Sequence, residues 1–283
     1  MSHSQKFADL GRPRRIWAVG AVHGEEARLA ALHDAIAGRF LPGDRLVYLG
    51  NLLGHSVNVI DTLDEILLFR RRLIAQPGVL ASDVVYLRGC QEEMWQKLLQ
   101  LQFAPNPREV LDWMLRNGVE QTLAAYGGNV QQGLSAAREG AVSITRWTNA
   151  LRVAIRAVPG HDPLMSALRR AAYTRGSGGM AEDPSQPPPG VEPDAILLVS
   201  AGVDVIRPFG AQGDSFWWGG TPFARIQEPY GRFRKVIRGY DPARGGLQSG
   251  DFTLTLDGNA GFGGPLVAGC LTPQGDVIEL LES

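Results

Sequence analysis

The sequence predicts an α/β protein, and three observations carry that expectation. Short β-branched or aromatic runs alternate with helical patterns in the first third, a mainly helical stretch follows from 91 to about 175, and strand-like runs then resume to the C-terminus. At 283 residues the chain suits one large domain or two smaller ones, and it can bury a sizeable core.

The first run, Ile16-Trp17-Ala18-Val19, ends at Gly20; the second, Leu46 to Leu49, ends at Gly50; the third, Val84 to Leu87, is followed by Arg88-Gly89. Each suits a buried strand. Between the first two, Leu29, Leu32, Ile36 and Phe40 recur at helical spacing, with Glu25 and Glu26 in a first turn where negative charge is favoured. Between the second and third, Val57, Ile60, Leu63, Leu67 and Ile74 predict another helix. Strand–helix–strand–helix–strand implies largely parallel pairing, with loops gathered at the strands' C-terminal ends.

In the helical stretch, Asn106-Pro107 followed by Glu109 supplies a cap, a first-turn proline and an acid. His161 belongs to this stretch and is expected to be structural. Residues 176–194 are Pro/Gly-rich and expected to form a flexible loop, and residues 1–13 are expected to be disordered. Later strands are predicted at Ala195–Val199, Val236-Ile237, Asp251–Leu256 and Val277–Leu281.

The formal net charge is -1, which gives no electrostatic reason to expect nucleic acid or a membrane as partner. Cys90 and Cys270 lie far apart without metal-type spacing, so a reducing cytoplasm is the expected location. No apolar run approaches the roughly 20 residues of a membrane span.

Eight motifs in order carry a resemblance to a known family: GAVHG (20–24), GNLLGHS (50–56), RGCQE (88–92), WMLRNGVEQTLAAYG (113–127), VSAG (199–202), FWW (216–218), RGY (238–240) and LDGNAGFGGPLVAGCL (256–271). They resemble the calcineurin-like metallophosphoesterases, particularly the bacterial serine/threonine phosphatase and diadenosine-tetraphosphatase branch. The resemblance covers residues 14–283 as one domain. It implies a four-layer sandwich, two mixed β-sheets face to face with helices outside, and a helical elaboration at 92–175.

The resemblance also implies a two-metal site, and this chain departs from it there. The family's metal ligands fall on Ala21, His23, Asn51, Cys90, Ser200 and Tyr240, of which only His23 is the expected type. Two divalent cations about 4 Å apart need anionic oxygen ligands. Ala21 has no donor atom, Asn51 cannot supply a negative bridge, and Tyr240 would have to ionise from about 10. The family's proton donor falls on Gln91, which has no proton to give at neutral pH. Its phosphate-clamping Asp-Arg pair falls on Gly54 and His55. Glu92 remains, as a possible helix-starting acid.

The expectation is therefore a catalytically inactive homologue that binds a protein partner as an interaction or regulatory module, without a cofactor. Two alternatives belong beside it. One is an active phosphoesterase with a rebuilt single zinc or manganese site from His23, His55, Cys90 and Asp241. The other is a non-hydrolysing nucleotide or phosphate sensor. Arg88, Arg225, Trp217 and Trp218 are the candidate phosphate or partner contacts, although solvated charge and core packing are the commoner roles for such residues.

Overall fold

The computed structural model describes residues 6–177, 190 and 192–283. β2 (Ile16–Val19), β3 (Arg45–Tyr48) and β4 (Val84–Tyr86) are parallel, as the alternating pattern predicts. β10 (Val267–Leu271) pairs antiparallel with β2, and β11 (Val277–Glu282) with β10, closing a five-stranded sheet. The second sheet has six strands: β1 (Phe7–Asp9), β5 (Ala171–Tyr173), β6 (Ala195–Val199), β7 (Phe233–Arg238), β9 (Thr253–Thr255) and β8 (Gln248–Ser249), in that order across the sheet. It too is mixed, with β5 antiparallel to β6 and β7 parallel to β6 and β9.

Period-two alternation explains how the sheets stack. Ile16, Ala18, Val47, Leu49, Leu198, Ile237 and Leu254 form an apolar layer between them. Trp17, Val19, Leu46 and Tyr48 point the other way and pack with the helices. Those helices are α1 (Glu26–Ala37) and α2 (Val59–Ile74). The buried stripe of α2 is Val59, Thr62, Leu63, Ile66, Phe69 and Leu73, so the predicted stripe is rotated. Val57 lies before the helix and is 71% exposed. Both sets of positions have helical spacing, and packing against the sheet selects one.

α3 (Cys90–Leu98), α4 (Pro107–Met114), α5 (Glu120–Ala125), α6 (Val130–Glu139), α7 (Ala141–Ala157) and α8 (His161–Ala167) form the helical elaboration. It ends earlier than expected, because 171–173 is strand. The predicted cap of α4 is present: Asn106 Oδ1 accepts from the Glu109 N–H at 3.4 Å. Asn106→Ala is expected to cost about 0.5–1 kcal/mol, read as a shift in the urea midpoint.

Adjacent acids on α2 each close a chain of polar groups. Glu65 meets His33 of α1 at 2.5 Å, and the other ring nitrogen of His33 meets the Tyr48 hydroxyl at 2.7 Å. Asp64 meets His161 at 3.2 Å, whose other nitrogen meets the Tyr126 hydroxyl at 2.7 Å. His33 and His161 are fully buried, which bears out a structural role for His161.

One expectation needs correction. The segment 1–13 is not disordered throughout: Phe7–Asp9 pairs parallel with Ala171–Tyr173, and Leu10 is buried. Residues 1–5, and most of the predicted loop 176–194, lie outside the described residues. The outer face of the six-stranded sheet is covered by an aromatic region of loops and short helices. Phe209, Phe216, Trp217, Phe223 and Tyr230 pack there on Phe7, Leu197 and Phe233, with α9 (Ser215–Trp218) as its short α-helix. Among the described residues no helix is long and apolar enough to cross a membrane.

Candidate functional site

The predicted convergence takes place at the C-terminal ends of β2, β3, β4, β6 and β7. The backbones approach closely there. A Cβ on Gly20 would lie 2.0 Å from the Leu256 carbonyl oxygen. His23 and Asn51 both take φ of 53°, the left-handed region that few non-glycine residues adopt. Their loops are tied together, since the Val22 and His23 N–H groups donate to the Asn51 carbonyl at 3.0 and 2.7 Å.

Asn51 and Glu92 anchor this arrangement. Glu92 is buried, and its carboxylate accepts from the backbone N–H groups of Asn51 (2.9 Å), Leu53 (3.0 Å) and Gly89 (2.7 Å). Burial raises its pKa, opposed by those three bonds. The Asn51 side-chain oxygen accepts from the Cys90 thiol at 3.3 Å and the Gln91 N–H at 3.1 Å. Its side-chain oxygen thus faces the start of α3, and its Nδ2 is buried without a partner.

His23 sits at the centre, 1% exposed, with neither ring nitrogen in a hydrogen bond of normal geometry. The rings of His55, Tyr240 and Phe262 surround it edge-on, at centroid distances of 4.9, 5.6 and 5.4 Å. Arg244 lies over the Phe262 ring at 3.7 Å. Burial, then the neighbouring His55, lowers the His23 pKa to about 3, so the imidazole is neutral at physiological pH. Burial pushes the Cys90 thiol and the Tyr240 phenol each up to about 12. Burial first, then Arg244, lowers the pKa of His55 as well.

The other predicted positions divide. Ala21 is buried and has no side-chain donor atom, and its backbone N–H donates to the Gly239 carbonyl at 2.8 Å. Ser200 is buried with its hydroxyl unpaired. Gln91 donates to the Asn117 carbonyl at 2.8 Å and lies 3.3 Å from His55 Nε2. Gly54 packs on Gln91: a Cβ there would come within 2.6 Å of its side chain.

Several candidates are not brought to the centre. Asp241 turns away, accepting from the Ala243 and Gly245 N–H groups and pairing with Arg238 at 3.0 Å. Among the described residues no three His, Cys, Asp or Glu side chains form a metal-holding group. The proposed set of His23, His55, Cys90 and Asp241 is therefore not assembled. Arg88 is paired with Glu93 at 3.0 Å. Arg225 lines a separate cavity of about 440 Å³ with Arg207, Glu228 and Tyr230. Trp217 is 1% exposed and packs in the core, which excludes it as a contact for a partner; Trp218 is 38% exposed and meets Trp113 edge-on at 5.5 Å.

Sequence reasoning missed Phe262, whose ring faces His23, Arg244, which lies over that ring, and Asp257, which accepts from the Asp241 and Asn259 N–H groups at 2.8 Å each. Asp257 was visible in the LDG of its motif. Phe262 carries no signal beyond an apolar residue among glycines.

This geometry can be set against known proteins. No family model matches the sequence, and no curated protein matches it. Among solved structures the chain is similar to a protein provisionally assigned as a diadenosine tetraphosphatase, with TM-score 0.53 and 18% identity over 98% of each chain. The chain has the metallophosphoesterase fold. It is also similar to a protein serine/threonine phosphatase from Saccharomyces cerevisiae with similarity to human phosphatase PP5, at TM-score 0.49 and 14% identity over 98% of this chain and 84% of that one. A cold-active protein-tyrosine phosphatase of a psychrophilic Shewanella species aligns at TM-score 0.47 and 11% identity, over 99% and 85%.

The two divalent cations that the fold family implies do not fit the residues present. The positions that should face them offer no carboxylate, one carboxamide oxygen already shared by two donors, and a phenol held protonated. Of the six positions, His23 brings an unpaired imidazole and Ser200 an unpaired but neutral hydroxyl, and none brings an anionic oxygen.

The same burial predicts how stability varies with pH. His23, His33 and His55 all have folded pKa values below the ordinary 6.5, with burial as the largest cause. The unfolded chain takes up these protons first, so their stabilising contribution is complete above about pH 6.5 and declines as pH falls below it. His23 alone is expected to cost about 2 kcal/mol between pH 7 and 5. Urea titrations at the two pH values check this; a midpoint unchanged from pH 7 to pH 5 contradicts it.

Proposed function

We propose that this chain is a catalytically inactive metallophosphoesterase homologue that acts by binding, as a protein-interaction or regulatory module. The observation that carries the reading is the donor set around His23: Ala21 has no side-chain donor atom, the Asn51 carboxamide oxygen already accepts from the Cys90 thiol and the Gln91 N–H, and burial holds the Tyr240 phenol protonated. Family-type hydrolysis needs cations to generate hydroxide and to neutralise phosphoryl oxygens, and this donor set supplies no anionic oxygen to hold them. The retained left-handed backbones at His23 and Asn51 support a scaffold kept intact while its chemistry changed. A cytoplasmic location and a protein partner belong to the same proposal.

Metal analysis of protein purified without chelators, together with p-nitrophenyl phosphate turnover, tests the reading. The expected results are substoichiometric metal, a Tm unmoved by added manganese or zinc, and no turnover above buffer. About two equivalents of manganese, iron or zinc with turnover would overturn it.

A further inference from the structure

The cavity of about 440 Å³ that Arg225 lines lies between two loop segments, 205–209 and 225–231, and none of its lining residues belongs to the strand-end site. Phe209, Ile226 and Tyr230 give it a buried apolar side, while Ile206 stands 90% exposed on it. The two segments are tied to each other. The Tyr230 hydroxyl donates to the Arg207 carbonyl at 2.6 Å, and buried Gln212 donates from Nε2 to the Asp204 and Arg207 carbonyls at 2.6 and 3.0 Å. The cavity is thus framed by the protein's own hydrogen bonds, as small-molecule sites usually are, and its volume suits a small ligand.

Its charged groups divide into a used pair and an unused one. Arg207 is held by Asp204 at 3.1 Å. Arg225 and Glu228 are exposed, and among the described residues neither side chain makes an ion pair or hydrogen bond, with the other or with any neighbour. They are three residues apart, so their Cα atoms lie within about 11 Å of each other however the loop runs. A single exposed charge needs no partner but water. Two of opposite sign on one framed cavity, beside an exposed isoleucine, are complementary to a ligand that carries both signs and an apolar group.

We propose that this cavity binds a free α-amino acid with an apolar side chain. The Arg225 guanidinium donates to the carboxylate, the Glu228 carboxylate accepts from the ammonium, and the side chain lies against Ile206, Pro208 and Ile226. Charge argues for a zwitterion rather than phosphate, because Glu228 would repel a multiply charged anion and the Arg207 charge is already offset by Asp204. This site is apart from that of His23, so its occupancy is independent of whether the chain hydrolyses phosphate esters.

L-leucine is the probe, titrated calorimetrically into the full chain. Leucine amide, which lacks the carboxylate, N-acetyl-leucine, which lacks the ammonium, and inorganic phosphate are the comparisons. Saturable one-site binding of leucine is expected, with a Kd below about 1 mM. Each derivative should bind about tenfold or more weakly, because each forfeits one charge-assisted hydrogen bond. Arg225→Met and Glu228→Gln should each weaken leucine about tenfold, and both should keep the parent's Tm because the side chains are exposed and unpaired. The proposal is overturned if leucine shows no saturable binding up to about 5 mM. It is equally overturned if either derivative binds as well as leucine, if phosphate displaces leucine, or if either variant binds leucine like the parent.

Discussion

Glu92→Ala is expected to leave little folded protein at 37 °C. The Glu92 carboxylate terminates three backbone N–H groups from two different loops, those of Asn51, Leu53 and Gly89. With alanine all three donors stay buried without an acceptor, at about 1–3 kcal/mol each. Relief of the carboxylate's own burial offsets part of this, and the vacated volume adds to it. The net loss is expected to be about 3–6 kcal/mol, which is most of the stability of an ordinary domain. Glu92→Gln keeps the shape and one acceptor oxygen, and should lose less than half as much. Urea denaturation of both variants checks the ranking. Equal losses would mean that volume, not hydrogen bonding, sets the effect.

Gly50→Ala is expected to be nearly as damaging, by a different route. Gly50 has φ of 90°, and an added Cβ would lie 2.7 Å from the Gly89 nitrogen, 2.9 Å from its Cα and 2.9 Å from the Ser200 hydroxyl. Two of those neighbours are backbone, so no rotamer change relieves the overlap. The unfavourable φ and the steric displacement together are expected to cost about 3 kcal/mol or more. A loss below about 1 kcal/mol would show that the loops of Gly50 and Gly89 can part without penalty.

Much of this was legible in the sequence because local pattern and tertiary role coincide. The runs at 16–19, 46–49 and 84–87 are apolar on both faces because helices cover one side of the sheet and a second sheet covers the other. The glycines and turns that end them brought His23, Asn51 and Cys90 to one place, as the motif order implied. What escaped prediction depends on partners far away in the chain. Phe7–Asp9 is too short to signal a strand and exists through pairing with residues 171–173. Phe262 and Arg244 reveal their position only once the loops converge. Trp217 and Trp218 are neighbours of the same type, yet one is buried and the other half-exposed, a distinction set by the short helix that carries them. Cys90 and Asp241 were plausible metal ligands by type, but each had a nearer hydrogen-bond partner that sequence spacing does not show.

The adjacent acids Asp64 and Glu65 have a consequence for how the molecule comes apart. Through one, α2 is fastened to α1 and β3; through the other, it is fastened to α5 and α8 of the helical elaboration. Opening either side exposes a fully buried imidazole and strands its tyrosine and acid, so neither half has an inexpensive way to melt first. The helical elaboration and the sandwich should therefore lose amide-exchange protection together and give one calorimetric transition with matching van't Hoff and calorimetric enthalpies. Asp64→Ala, which unfastens one side only, should let the elaboration begin exchanging ahead of the sheets.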